Sequence, residues 1–364
     1  MKPSLLGLLK TPPLIALFLV VAPAALASSV WYVNGNNGRD SNDCKTSKTA
    51  CSTIGHAIAL SASGDSITIA AATYTENLFI TTNLKLNGAG ATKTIIDGGA
   101  INRVISIENT AAVVTLNKLT VRNGIAAGGG GILNWGMLTV TSSTISGNFA
   151  GSSYSATGAG IYNSGTLTIN NSTLSGNSGG SNFMYGGGIY SSGTVVINNS
   201  TLSGNSASGS TGGGGGGIYI GSGTATISNC TFSGNTGTPS GGAIYNSGTV
   251  TLQNSIIANS PAGGNCVGSV TSKGYNLSSD GTCSFSTTGD LNNIDPKLGP
   301  LQNNGGQTQT MALPSGSPAI DAGNPSGCTD NHGHLLKTDQ RGQPRPDKED
   351  TGGCDMGAYE SQSD

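Results

Sequence analysis

"GAGIYNSGTLTINNSTLSGN" (158–177) holds no charged residue and no histidine, and nearly the same words return as "GGIYSSGTVVINNSTLSGN" (187–205). Five copies align on Ile132, Ile161, Ile189, Ile218 and Ile244, at spacings of 29, 28, 29 and 26 residues. Periods this short, with glycine at both ends, are those of a solenoid. Within a copy, "TLTIN" alternates polar and apolar, as a strand with one buried face does. "GIYN" and "STLSGN" read as two further extended pieces, separated by Ser-Gly and Asn-rich turns. No helical periodicity is found between residues 110 and 320. Three short strands per copy, wound in one direction, predict an all-β chain folded as a right-handed parallel β-helix.

The missing charges follow from that geometry. Adjacent coils lie about 4.8 Å apart, so a charge in one copy would face its like in the next, whereas like apolar or amide side chains stack favourably. Three inward rows are expected: Leu138, Leu167, Val195, Ala225 and Val250; Val140, Ile169, Ile197, Ile227 and Leu252; and Ile145, Leu174, Leu202, Phe232 and Ile257. Asn171, Asn199, Asn229 and Asn254 align at a turn, where a left-handed backbone favours asparagine.

Around this repeat, the 364-residue chain is 9% charged, with a net charge of −2, so nothing recommends nucleic acid or an anionic membrane as partner. Residues 1–27 read as an export signal, with Lys2 and Lys10 before an apolar stretch and Ala25-Leu26-Ala27 as cleavage site. No second stretch is apolar enough to span a bilayer, so a secreted protein is expected, extracellular or associated with the cell surface. Residues 28–127 would form a cap and the first coils, 128–260 the repeat coils, and 261–364 a loop-rich C-terminal cap region. Within the first, 51–64 reads as a helical lid, with Ile54, Ala57 and Ile58 on one face. Gly/Ser-rich segments 178–186 and 206–217 read as loops projecting sideways. Local spacing pairs Cys44 with Cys51, Cys266 with Cys283 and Cys328 with Cys354. Cys230 remains, where other copies carry Ser143, Ser172, Ser200 and Ser255. No cysteine has zinc-site spacing, and no metal or cofactor is expected.

Two sets of words resemble known families. "GGAIYN" (241–246) and "FSGN" (232–235) are similar to the GGAI and FxxN motifs of polymorphic outer membrane protein repeats, found in bacterial right-handed β-helix proteins. "DPKLGPLQNNGGQTQTMALPSGSPAIDAGN" (295–324), "TDQRGQPRP" (338–346) and "CDMGAYE" (354–360) resemble the choice-of-anchor Q domain. The resemblance implies an exported, surface-associated β-helix and brings no established catalytic residue.

Chemistry is scarce. Between Arg122 and Asp280 the only charged residue is Lys273, so the middle coils hold neither an acid/base pair nor a cation site. If the chain is a polysaccharide lyase or hydrolase of the pectate-lyase-like type, the candidates are Lys118, Arg122 and Asp97, on early coils beside Glu76, Arg103 and Glu108. Asp321, Asp339, Arg341 and Asp355 read as structural, with Asp339 or Asp355 paired to Arg341. His332 and His334, near Asp330, form an exposed H-x-H. Tyr162, Tyr190, Tyr219 and Tyr245 each follow an inward isoleucine and so point outward; with Trp135 nearby, they are candidates for glycan contact. Outward Thr166/Thr168, Thr224/Thr226 and Thr249/Thr251 resemble ice-binding arrays, interrupted at Met137 and Val196. The leading expectation is a non-catalytic β-helix in adhesion or contact with an extracellular polysaccharide or cell-surface glycan. Oligomeric state is left open.

Overall fold

The computed structural model describes residues 28–347 and 353–362; the export signal expected at 1–27 lies outside them. Three strands recur from coil to coil and pair in parallel to build three long sheets, and Ile125–Ala126, Phe149–Gly151, Ser178–Tyr185, Ser206–Gly214 and Thr236–Thr238 form a fourth, shorter parallel sheet. The first sheet includes Val113–Asn117, Met137–Thr141, Thr166–Asn170, Thr194–Asn198, Thr224–Ser228 and Thr249–Gln253. The second runs through Thr94–Asp97, Thr120–Arg122, Thr144–Ser146, Thr173–Ser175, Thr201–Ser203 and Thr231–Ser233. The third holds Ile105–Ile107, Ile132–Asn134, Ile161–Asn163, Ile189–Ser191, Ile218–Ile220 and Ile244–Asn246. The chain is a parallel β-helix.

Register places like on like. Leu167 pairs with Leu138 and Val195, and Leu174 with Ile145 and Leu202, and these side chains are buried in one continuous core. The glycines before Ile132, Ile161, Ile189 and Ile218 are crowded by the next coil: a Cβ on Gly188 would lie 2.5 Å from the carbonyl oxygen of Gly217.

Polar side chains also stack. Buried Asn148, Asn177, Asn205 and Asn235 form a ladder at the "SGN" turn, each amide donating to the next Oδ1 at 2.9–3.0 Å. The same Nδ2 groups donate to strand carbonyls such as Ile145 and Leu174, and each Oδ1 accepts the backbone N–H of the coil before. A serine ladder lies beside the inner row, with the N–H of Ser143 donating to Ser172 Oγ and that of Ser172 to Ser200 Oγ, both at 3.1 Å. Cys230 occupies one rung, its thiol donating to the Ser228 carbonyl and pushed up to about 12 by burial.

The turn between the first and second sheets is left-handed in every repeat: Lys118, Ser142, Asn171, Asn199, Asn229 and Asn254 all have φ between 48 and 56°. Asparagine tolerates that region better than serine or lysine. Ser142→Asn is therefore expected to stabilise the chain by about 0.5–1 kcal/mol, read as a higher midpoint in chemical denaturation.

Both ends are covered. The helix Ile54–Leu60, shorter than the expected 51–64, buries Ile54 and Ala57. Its first N–H groups, those of Ile54 and Gly55, donate to the Glu76 carboxylate at 2.8 and 2.7 Å. At the other end, Phe285 and the Cys266–Cys283 disulfide join the core beside the last coil. The Cys44–Cys51 and Cys328–Cys354 pairs are also closed.

Two features differ from the sequence reading. The Gly/Ser-rich segments are strands: Ser178–Tyr185 pairs with Ser206–Gly214 to form a flap over its own small core of Ala150, Ala156, Ala159, Met184 and Ala207. Parallel pairing with the neighbouring coil satisfies their backbone whatever their propensity. The C-terminal region, expected as a cap, also folds back along the side of the helix onto the asparagine turn. Thr308 Oγ1 donates to the Asn171 carbonyl, Asn229 Nδ2 to that of Thr329, and Asn254 Nδ2 to that of Asp355.

Candidate functional site

Alternation along the third sheet sends each isoleucine inward and the next residue outward, and register aligns Tyr162, Tyr190, Tyr219 and Tyr245 in one column. Neighbouring ring centroids are 5.1, 5.6 and 4.7 Å apart, with planes within 12–23° of parallel. Parallel rings at strand spacing are offset-stacked, so Tyr190 and Tyr219 have a neighbouring ring on each face. The column offers solvent its ring edges and phenol groups, and the faces of these two rings are taken up by their neighbours. Burial and the adjoining tyrosines push the Tyr190 phenol up, keeping it a neutral hydrogen-bond donor.

The flap extends this surface. Tyr185 meets Tyr219 edge-on at 4.9 Å, Phe183 stacks on Tyr185, and Tyr154 leans on Phe183 at 5.4 Å. Tyr154 is 66% exposed and supplies a freely accessible ring. Trp135, 41% exposed, lies just beyond the third-sheet strand Ile132–Asn134 and makes no ring contact with the column. Phe183 and Tyr185 lie in the segment 178–186 that reads as a loop; its strand character aligns them beside the column.

The three catalytic candidates do not converge on an acid/base site. Lys118 occupies the left-handed turn, at the position that asparagine takes in later coils. Arg122 and Asp97 face each other on adjacent strands of the second sheet, Nε to Oδ2 at 2.7 Å. The Asp97 carboxylate also accepts from Asn123 Nδ2 and the Gly99 N–H; burial opposes its ionisation, and these hydrogen bonds with Arg122 outweigh it, holding the carboxyl below its ordinary range. Arg103 is tied to the carbonyls of Gly128 and Gly129 and to Ser106, with Glu108 3.9 Å away. His332 and His334 are exposed, their N–H groups both donating to Asp330. The one cluster of potential metal ligands among the described residues, Cys44, Cys51 and His56, has both thiols closed in a disulfide.

Where the tail docks, charges gather out of water. Arg341 pairs with Asp339 at 2.7 Å and lies 3.6 Å over the Tyr359 ring. Asp355 belongs elsewhere: its oxygens accept the N–H groups of Asp321 and Ser361, and Glu360 lies beside it. Asp321 contributes that N–H from a left-handed turn. The sequence reading missed Arg345 and Glu360, a fully buried pair at 2.6 Å. Their sole sequence signal was membership in the words "RGQPRP" and "AYE". Burial, reinforced by the Glu360 charge, raises Asp355 to about 7. The folded state therefore holds this proton more tightly than the unfolded chain, and the associated stability is full below the ordinary carboxyl range and lost as pH rises through about 7. Denaturation midpoints are expected to fall as pH rises from about 4 to about 7 in the native chain and to level off above it, and the fall to shrink in Asp355→Asn.

Comparison with known proteins agrees with the fold. Residues 103–281 match the family described as the right-handed β-helix region, and the chain is a right-handed parallel β-helix. No curated protein matches the sequence. Among solved structures, a pectin methylesterase from Aspergillus niger is similar at 17% identity and a TM-score of 0.43, over 72% of this chain and 92% of that one. A carrot pectin methylesterase is similar at 13% and 0.42, over 76% and 91%, and one from Erwinia chrysanthemi at 17% and 0.34, over 69% and 71%. Each is a similarity of fold alone.

Proposed function

We propose that this chain is an exported, non-catalytic β-helix that contacts polysaccharide at the cell surface or in the surrounding matrix. The observation that carries the reading is the tyrosine column, continued by Tyr185, Phe183 and Tyr154, on a surface without charge. A glycan lying along the helix axis meets phenol groups about 5 Å apart, with Tyr154 and Trp135 as platforms for ring faces. Three disulfides suit an oxidising compartment. The polymorphic-outer-membrane-like repeats and the choice-of-anchor Q-like tail favour the surface setting. No helix among the described residues is long and apolar enough to cross a membrane.

A glycan array with residues 28–364 tests the reading. Binding of a neutral polysaccharide, weakened at least tenfold in the Tyr190→Ser/Tyr219→Ser double variant, supports it; no signal on any glycan ends it. Turnover of pectin or alginate that disappears with Arg122→Ala would replace it by the lyase or hydrolase reading. The threonine columns Thr166, Thr194, Thr224, Thr249 and Thr168, Thr226, Thr251 stand in register on the first sheet, interrupted by Val196. Inhibition of ice recrystallisation would point there instead.

A further inference from the structure

A second face of the solenoid carries a site of different chemistry. On the second sheet, Thr120, Thr144, Thr173, Thr201 and Thr231 form one outward column, and Arg122 and Ser146 are paired neighbours alongside. The tail covers the later threonines: Thr173 Oγ1 donates to the Gln309 carbonyl, Thr201 Oγ1 to Gln340 Oε1, and Thr231 Oγ1 accepts the Ala358 N–H. At Thr144 the column is left open, whereas Thr120 is buried and its hydroxyl donates to the Ala91 carbonyl. A cleft of about 330 Å³ lies there, between Arg122, Thr144 and Ser146 on one wall and the tail loop with Gln307 and Gln309 on the other.

Both walls are held in place. Asp97, almost buried, fixes Arg122 through Nε, and the Arg122 Nη groups have no protein partner among the described residues. Opposite, Arg341 Nη1 donates to the Asn304 carbonyl and Asn304 Nδ2 to that of Thr310, which steadies the loop. A guanidinium with its outer edge unengaged offers a planar fork that matches a carboxylate. Hydroxyls and primary amides around it match hydroxyl groups, and there is no aromatic ring in the lining.

We propose that this cleft binds a uronic-acid residue of an acidic polysaccharide, its carboxylate on Arg122 and its hydroxyls on Thr144, Ser146 and the glutamines. The site lies on a different sheet from the tyrosine column and does not depend on the reading of that column. Asp97 acts as a positioning residue.

Titration of residues 28–364 with oligogalacturonate by calorimetry, alongside the neutral galactose oligomer, tests the proposal. The uronate is expected to bind, the neutral oligomer to bind at least tenfold more weakly, and added salt to weaken the uronate. Arg122→Lys keeps a charge beside Asp97 but loses the fork, and is expected to weaken uronate binding roughly tenfold or more. Thr144→Tyr fills the cleft without touching the ion pair and should do the same. Tyr190→Ser/Tyr219→Ser should leave uronate binding unchanged. Absence of uronate binding, equal binding by both cleft variants and the native chain, or loss of binding in the tyrosine variant would overturn the assignment. So would polyglutamate binding as tightly as the uronate and with the same sensitivity to Arg122→Lys, which would mark a peptide site.

Discussion

Arg345→Ala is expected to cost about 3–5 kcal/mol, as when one partner of a buried ion pair is removed. Arg345 donates through Nε to Glu360 at 2.6 Å, through Nη1 to Asn199 Oδ1 at 3.1 Å and through Nη2 to the Tyr359 carbonyl at 2.9 Å. Its loss leaves the Glu360 carboxylate beside Asp355 in a region with almost no water. The tail should loosen before the coils melt, because this side chain carries one of the tail's two hydrogen bonds to Asn199, the other running from Asn199 Nδ2 to the Thr338 carbonyl at 3.2 Å. Limited proteolysis after residue 320 and urea denaturation would register the two events separately. The double variant Arg345→Met/Glu360→Gln removes both charges and should recover much of the loss. An Arg345→Ala protein as stable and as protease-resistant as the native chain would show that the tail is held by other contacts.

Asn205→Ala should cost a similar amount, about 2–5 kcal/mol, and act on the coils themselves. Asn205 Oδ1 accepts both the backbone N–H of Asn177 and its Nδ2, while its own Nδ2 donates to the Leu174 carbonyl and to Asn235 Oδ1. Removing the amide strands the Asn177 N–H and the Leu174 carbonyl where water does not reach, and opens a void. Asn171→Ala, at the part-exposed left-handed turn, should cost only about 1–2 kcal/mol. Comparing the two midpoints distinguishes a ladder that satisfies buried backbone from one that merely suits a backbone angle; equal losses would refute the distinction.

These two ladders also show where the sequence was readable. Asn171 and its counterparts stood out because a turn of one fixed conformation recurs in every copy and carries asparagine at Asn171, Asn199, Asn229 and Asn254, with Ser142 in the first copy. The inward rows were readable for the same reason, since alternation in "TLTIN" reports two faces of a strand. The tail was not. Its contacts join residues more than 100 positions apart, such as Gln340 with Thr201, and a threonine column reads as strand preference until something lies upon it. Alternation turned the tyrosines outward but said nothing of how far each ring leans onto the next. For the flap, composition misled: "SGGSNFMY" and "SASGSTGGG" are poor strand formers, and the hydrogen bonds that order them come from the adjacent coil. Arg345 and Glu360 stood in the tail words that carry a family resemblance, but nothing in those words paired the two.

Most solenoids lengthen or shorten freely, because a duplicated unit meets only its two neighbours. Here the tail touches Asn171, Thr201, Asn229 and Asn254 with segments of set length, so it works as a ruler. A chain that gained or lost one unit between Asn171 and Asn254 would carry every later anchor to the wrong partner. The number of units in that interval is thereby fixed, and variation by duplication is confined to the part of the molecule before the ruler begins.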